Sequence, residues 1–182
     1  MVMGPRAFGW MQYAQEEEMK KFFILMLIMG AVVIGVMKPG SLPLPDSIPS
    51  FQNRSMSGEL VSDRMLSDGS VLHFFRSGCA YCLLELPLWV KLKKKYPHVK
   101  IIAVLHNESL EEAELFFKSN PNPFDDVIDD TDRTLWESLH VQSTPESFVV
   151  FEDKIIAHLG YMRYSTSLLE EKLARIEKSY YG

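Results

Sequence analysis

Cysteine is nearly missing from this 182-residue chain: there are two, Cys79 and Cys82. So small a set excludes a disulfide-built scaffold, and a bridge between thiols three positions apart closes too short a loop to staple a fold. Basic charge is short as well. Nineteen Lys and Arg face 24 Asp and Glu, leaving a net charge of −5, and no basic stripe is available to neutralise phosphates. Nucleic acid is therefore excluded as a partner. There are no internal repeats. The five histidines, His73, His98, His106, His140 and His158, show no H-x-x-x-H pairing, and Cys79 and Cys82 lack two further ligands at suitable spacing. No metal site and no cofactor are expected on that pattern. What remains is an ordinary globular composition, 47% apolar and 24% charged, enough for one domain and an appendage.

The appendage is apolar. Residues 22–37 (FFILMLIMGAVVIGVM) run without a charge or a strongly polar group. A bilayer span wants roughly 20 residues with a lower limit near 17, so this run is short, and flanking residues with snorkelling Lys20, Lys21 and Lys38 make up the deficit. A cleaved signal peptide and a buried core helix are the competing readings. Met37-Lys38-Pro39-Gly40 supplies no small-x-small cleavage site, and no polar face marks a core helix, so an uncleaved signal anchor is expected. Arg6, Lys20 and Lys21 precede the run while Lys38 and Arg54 follow it. That bias places residues 1–21 in the cytoplasm and the rest outside. Residues 38–55 carry prolines at 39, 43, 45 and 49 and read as an extended tether, leaving 56–182 as the folded domain.

Within that domain, strand and helix signals alternate. Residues 70–75 form an apolar strand, 83–96 a helix bent at Pro87, and 99–106 (VKIIAVLH) a strand buried on both faces. Ser109 and Glu112 make a capping box for a helix running to about 119. A short extended piece at 126–128 and a short helix at 131–139 follow. Residues 147–151 and 155–159 flank Glu152-Asp153-Lys154 as an antiparallel hairpin. A second capping box, Ser167 with Glu170, opens a last helix whose inner face is Leu169, Leu173 and Ile176. Two crossover units followed by a hairpin and a helix predict an α/β fold, a three-layer sandwich of thioredoxin type around a central mixed sheet.

Cys79-Ala80-Tyr81-Cys82 falls where the first strand hands over to a helix, the place where such a fold does its chemistry. A cysteine capping a helix meets exposed N–H groups and the positive end of the macrodipole, which favour its thiolate. Thr144-Pro145 stands immediately before the hairpin, where thioredoxin-like folds hold a cis-proline facing the dithiol. Only about 5–6% of X–Pro bonds are cis, so the residue by itself leaves the isomer open, and Pro145 can also be read as simply starting a strand. His73 in the first strand reads as a satisfied, half-buried residue, and Trp89 and Trp136 as core packing.

Residues 72–87 (LHFFRSGCAYCLLELP) resemble the active-site segment of periplasmic thioredoxin-like reductases. Asn122-Pro123-Phe124, then 127–133 (VIDDTDR), then 141–148 (VQSTPESF) are similar to elements of the cytochrome c maturation branch, the membrane-tethered CcmG/DsbE thiol:disulfide oxidoreductases. The similarity runs from about 55 to 178. There are departures. Gly78 stands where Trp is usual, Gln142-Ser143-Thr144 replace the glycines of the family signature, Ser147 follows Glu146, and His73 occupies the place of a buried Asp.

The resemblance implies Cys79 as nucleophile and Cys82 as resolving thiol, with Pro145 holding the Thr144 backbone open to a substrate strand. Glu85 and Glu146 are expected to place carboxylates near the sulfurs and to raise their pKa values, which suits a reductant; the other reading makes both solvated surface glutamates. The implied partners are apocytochrome c or a thiol-carrying maturation partner, a membrane electron donor that reduces the dithiol, and the bilayer through 22–37. The implied location is the inner membrane, with the domain in the periplasm. A general periplasmic thiol oxidase or isomerase, and a non-catalytic thioredoxin-like adaptor, are the alternatives.

Overall fold

The computed structural model describes residues 19–26, 43–66, 68–162 and 166–181. The chain divides into two units, Met1–Pro43 and Leu44–Gly182. In the first unit, residues 19–26 are helical with exposed side chains. The remainder of the expected 22–37 span and the segment before residue 19 lie outside the described residues. Among those described, no helix is long and apolar enough to cross a membrane.

The second unit begins earlier than the proline content suggests. Strand β1 (Gln52–Arg54) pairs antiparallel with β2 (Leu60–Ser62), and Phe51 before it is buried. Ile155 donates its N–H to the Asp46 carbonyl at 2.8 Å, and Ile48 packs on the core. The tether expected over 38–55 is thus part of the domain from about residue 46. Proline stops helices and ladders but leaves intervening apolar side chains free to seek a core.

The remaining order is β3 (Ser70–Phe75), α1 (Ala80–Lys95), β4 (Lys100–Leu105), α2 (Leu110–Phe117), β5 (Asp126–Asp129), α3 (Thr134–Ser138), β6 (Glu146–Phe151), β7 (Lys154–Leu159) and α4 (Ser167–Ser179). The five long strands lie in the order β5-β4-β3-β6-β7. β3, β4 and β5 are parallel, and β6 and β7 run antiparallel to their neighbours. This is the predicted mixed sheet.

β3 is buried at all six positions because both sheet faces are covered. On one face, Val71, Phe75, Ile101, Ala103 and Leu105 meet Cys82, Leu86, Trp89 and Leu92 of α1 and Leu169, Leu173 and Ile176 of α4. On the other, Leu72, Phe74, Ile102, Val104 and Phe148 meet Leu135 of α3, Leu139, Val61 and Phe51. Alternate residues along each strand feed alternate cores.

One of the two expected capping boxes forms, and Lys154, expected in the hairpin connection, is instead the first residue of β7. Ser109 accepts from the Glu112 N–H and Glu112 reaches back to the Ser109 N–H, the predicted capping box. The second box does not form: Thr166 is the N-cap of α4, and its hydroxyl donates to Glu170 at 3.0 Å. Gly69, at φ +116°, is required on two counts, since a Cβ there would collide with Ile176.

Candidate active site

β3 ends at Phe75 and the chain turns through Arg76-Ser77-Gly78 into Cys79, the N-cap of α1. Two bonds shape this turn: the Cys79 N–H donates to the Arg76 carbonyl at 3.1 Å, and the Ser77 N–H donates to Glu108 Oε2 at 2.7 Å. Glu108 lies in the β4–α2 connection and ties that loop to the turn that aims the first thiol. Nothing local in Asn107-Glu108-Ser109 signals this contact across 31 residues.

Cys79 and Cys82 are both free thiols, 8% and 0% exposed. The Cys82 N–H donates to Cys79 Sγ at 3.3 Å, so the thiol caps the helix as the sequence suggests. Burial pushes the Cys79 thiol up, but hydrogen bonds from Cys82 and Thr144 and the backbone N–H groups of Cys82 and Tyr81 outweigh it, and the net pKa lies below the ordinary thiol value. Burial pushes the Cys82 thiol up to about 12, with Cys79 adding to the rise. One thiol is poised to ionise and the other is kept protonated.

The loop before β6 closes over the pair. Thr144-Pro145 is cis, and the Cys79 thiol donates to the Thr144 carbonyl at 3.4 Å. Residues 65 positions apart thus meet at one sulfur. Gly78 is exposed and a Cβ there would meet nothing within 4 Å, so the flank where Trp is usual in the similar family is open. Tyr81 and Leu84, 55% and 63% exposed, give the N-terminal turn of α1 an apolar outer surface, and the Tyr81 ring lies 4.8 Å from that of Tyr161.

The carboxylates depart from expectation. Neither is a solvated surface group: Glu85 is 2% and Glu146 6% exposed. Neither is among the principal causes of the thiol shifts, and the expected rise at Cys79 is instead a fall. Glu85 accepts the Met162 N–H in the β7–α4 connection, beside a cleft of about 360 Å³ lined by Leu84, Leu88, Tyr161, Met162 and Thr166. Burial raises its own pKa, and the Met162 N–H opposes that rise.

Glu146 spends Oε1 on the N–H groups of Gln142 and Ser143, both at 3.0 Å, and Oε2 on His158 Nε2 at 3.0 Å. It alternates with Ser147 along β6 and shares the side of Phe148, whose core is the one opposite the thiols. Strand periodicity therefore turns the carboxylate away from the sulfurs and under the Thr144 loop. His73 is also more extreme than expected. It is fully buried, bonds Ser147 Oγ through Nδ1 at 2.9 Å, has no partner for Nε2 among the described residues, and burial lowers its pKa to about 3.

A capped, ionisable thiol above a buried protonated one is the arrangement that performs thiol–disulfide exchange. Comparisons with known proteins agree. Residues 69–156 match the thioredoxin-like family. A probable thiol:disulfide interchange protein DsbE-2 of Pasteurella multocida is 24% identical over 155 residues, covering 81% of this chain and 79% of that protein. The sporulation thiol-disulfide oxidoreductase A of Bacillus subtilis is 28% identical over 123 residues, covering 63% and 74%. Among solved structures, a putative thiol:disulfide interchange protein DsbE from Chlorobium tepidum superposes with a TM-score of 0.65 at 22% identity, covering 75% of this chain and 99% of that one. StoA of Bacillus subtilis gives 0.58 at 25% identity, covering 70% and 98%. The chain thus carries a thioredoxin-like domain whose homologues are thiol:disulfide oxidoreductases, DsbE-type interchange proteins among them.

Proposed function

We propose that this protein is a membrane-tethered thiol:disulfide oxidoreductase that works outside the cytoplasmic membrane as a reductant in cytochrome c maturation. The observation that carries the exchange chemistry is the pairing of a low-pKa Cys79, capping α1 and facing the Thr144 carbonyl, with a buried Cys82 held near pKa 12, while the reductant direction rests on the DsbE-type relatives. The Cys79 thiolate attacks one sulfur of a substrate disulfide, forming a mixed disulfide and releasing the other sulfur as a thiolate. Cys82 then gives up its proton and attacks Cys79 Sγ, releasing the second substrate thiolate and leaving the Cys79–Cys82 disulfide. Two electrons pass to the substrate, whose two thiolates take up the Cys82 proton and one from solvent. A membrane dithiol donor returns the protein to its reduced form. The substrate is apocytochrome c or a thiol-carrying partner in its maturation, aligned as an extended strand along the Thr144 backbone. The tether, the 22–37 run and the DsbE-type relatives support the location and pathway.

A second reading follows from the direction of the Cys79 shift. A stabilised thiolate favours the reduced protein and hence thiol oxidation, the chemistry of a general periplasmic oxidase or isomerase. The carboxylates do not restore the balance, as their partners lie elsewhere. One pair of experiments separates the readings. Cys82→Ala in cells is expected to accumulate mixed disulfides through Cys79 with proteins carrying C-x-x-C-H, and the reduced protein is expected to reduce a C-x-x-C-H peptide disulfide. A reduction potential near that of strong oxidants, about −120 mV, together with no peptide reduction, overturns the reductant reading.

A further inference from the structure

His158 has no place in the exchange chemistry, yet its contacts lead to the dithiol. It sits on β7 opposite Phe148, and the two rings stack at 4.5 Å and 12°. That stacking sets the ring plane, and Nε2 then meets Glu146 Oε2 at 3.0 Å. The Glu146 side chain is 8% exposed, so its carboxylate depends on protein partners. Oε1 is committed to the Gln142 and Ser143 N–H groups, with the Ser143 hydroxyl at 3.4 Å, while Oε2 has His158. Immediately after this grip, Thr144 presents its carbonyl 3.4 Å from Cys79 Sγ.

We infer that His158 is a positioning residue: by anchoring Glu146, it holds the Gln142–Thr144 loop in the shape that receives the extended peptide backbone flanking a substrate disulfide. The inference deepens the oxidoreductase reading and rests on it. The brace works from the sheet face opposite the thiols and touches no reacting atom, so its effect falls on how a peptide is seated. A buried carboxylate deprived of its second partner turns toward water and slackens its hold on the two loop N–H groups. A small disulfide without a peptide chain does not use the loop and feels this less.

The experiment uses the full chain and two substrates, a disulfide-bonded peptide of about ten residues and bis(2-hydroxyethyl) disulfide. The quantity read is the ratio of kcat/KM for the peptide to that for the small disulfide. Both are measured on one preparation, so any unfolded fraction cancels. His158→Phe keeps the stacking and removes the donor; the ratio is expected to fall about tenfold, through KM for the peptide, with kcat within about twofold. His158→Gln restores an N–H donor and is expected to recover most of the ratio. An unchanged ratio in His158→Phe, or an equal loss in both variants, overturns the inference while leaving the oxidoreductase reading intact. A wild-type protein inert toward both disulfides overturns that reading and this inference with it.

Discussion

At the scale of single residues, the site is governed by burial. The same desolvation that holds Cys82 protonated holds His73 neutral, and the imidazole lies among Phe75, Trp89 and Phe124. This has a consequence for stability. An unfolded chain protonates His73 below its ordinary value near 6.5, whereas the folded chain refuses the proton until about 3. The neutral-histidine contribution is therefore complete above pH 6.5 and is lost as pH falls toward 3. The slope is at most about 1.4 kcal/mol per pH unit. His73→Gln is expected to be less stable at pH 7, because it disturbs the Ser147 contact, but to show a shallower acid limb between pH 6 and 4 in urea titrations. A limb as steep as that of the wild type counts against this assignment.

At the scale of elements, the β6–β7 hairpin shows how a local rule can be met with the wrong residues. Glu152 and Asp153 form a two-residue connection between Phe151 and Lys154, and both have positive φ, 52° and 61°. That backbone is the one Asn-Gly adopts with least strain. Replacing Glu152-Asp153 by Asn-Gly is expected to stabilise the protein by about 0.5–1 kcal/mol, seen as a higher denaturant midpoint with an unchanged slope. A lower midpoint would show that the two carboxylates matter more than the turn geometry. The hairpin carries His158 and Glu146, so the turn also affects the brace beneath the Thr144 loop. α3 makes the complementary point. It is five residues long, and the buried Asp130 carboxylate caps it by accepting the Leu135 and Trp136 N–H groups at 3.0 and 2.9 Å. Within the 127–133 segment that resembles the maturation proteins, residues 127–129 belong to β5 and Asp130 serves to cap α3.

At the scale of the whole molecule, the folded body starts ahead of the boundary that composition suggests. The core on the α3 side of the sheet is built from residue 48 onward, and Phe51 and β1 belong to the second unit. Residues 44–182 expressed alone are expected to melt within a degree or two of the full chain. A version beginning at residue 56 loses Phe51 and the partner of β2 and is expected to be less stable by about 3 kcal/mol or more. Equal melting of the two truncations would return the 46–55 segment to the role of a spacer.

The order of strands and helices was legible in the amino-acid sequence because hydrophobic periodicity, Pro and capping residues act over a few positions. β3 is found with the limits the pattern predicts, and Ser109 caps α2 as its spacing requires. The dithiol was legible for the same reason: C-x-x-C between an apolar strand and a helix is a local arrangement. The β1–β2 pair was missed, since three-residue strands carry too little periodicity to register.

What the carboxylates and histidines do was decided by tertiary structure alone. Glu85 finds Met162 across 77 residues, Ser77 finds Glu108 across 31, and His158 finds Glu146 only because β6 and β7 bring them to one sheet face. Burial and partnership are properties of the assembled sheet, and they set the sign of each electrostatic effect. A reactive dithiol on an α/β scaffold therefore follows from local patterns in the chain. Only the folded sheet decided that Glu146 faces away from the sulfurs and braces the loop that meets them.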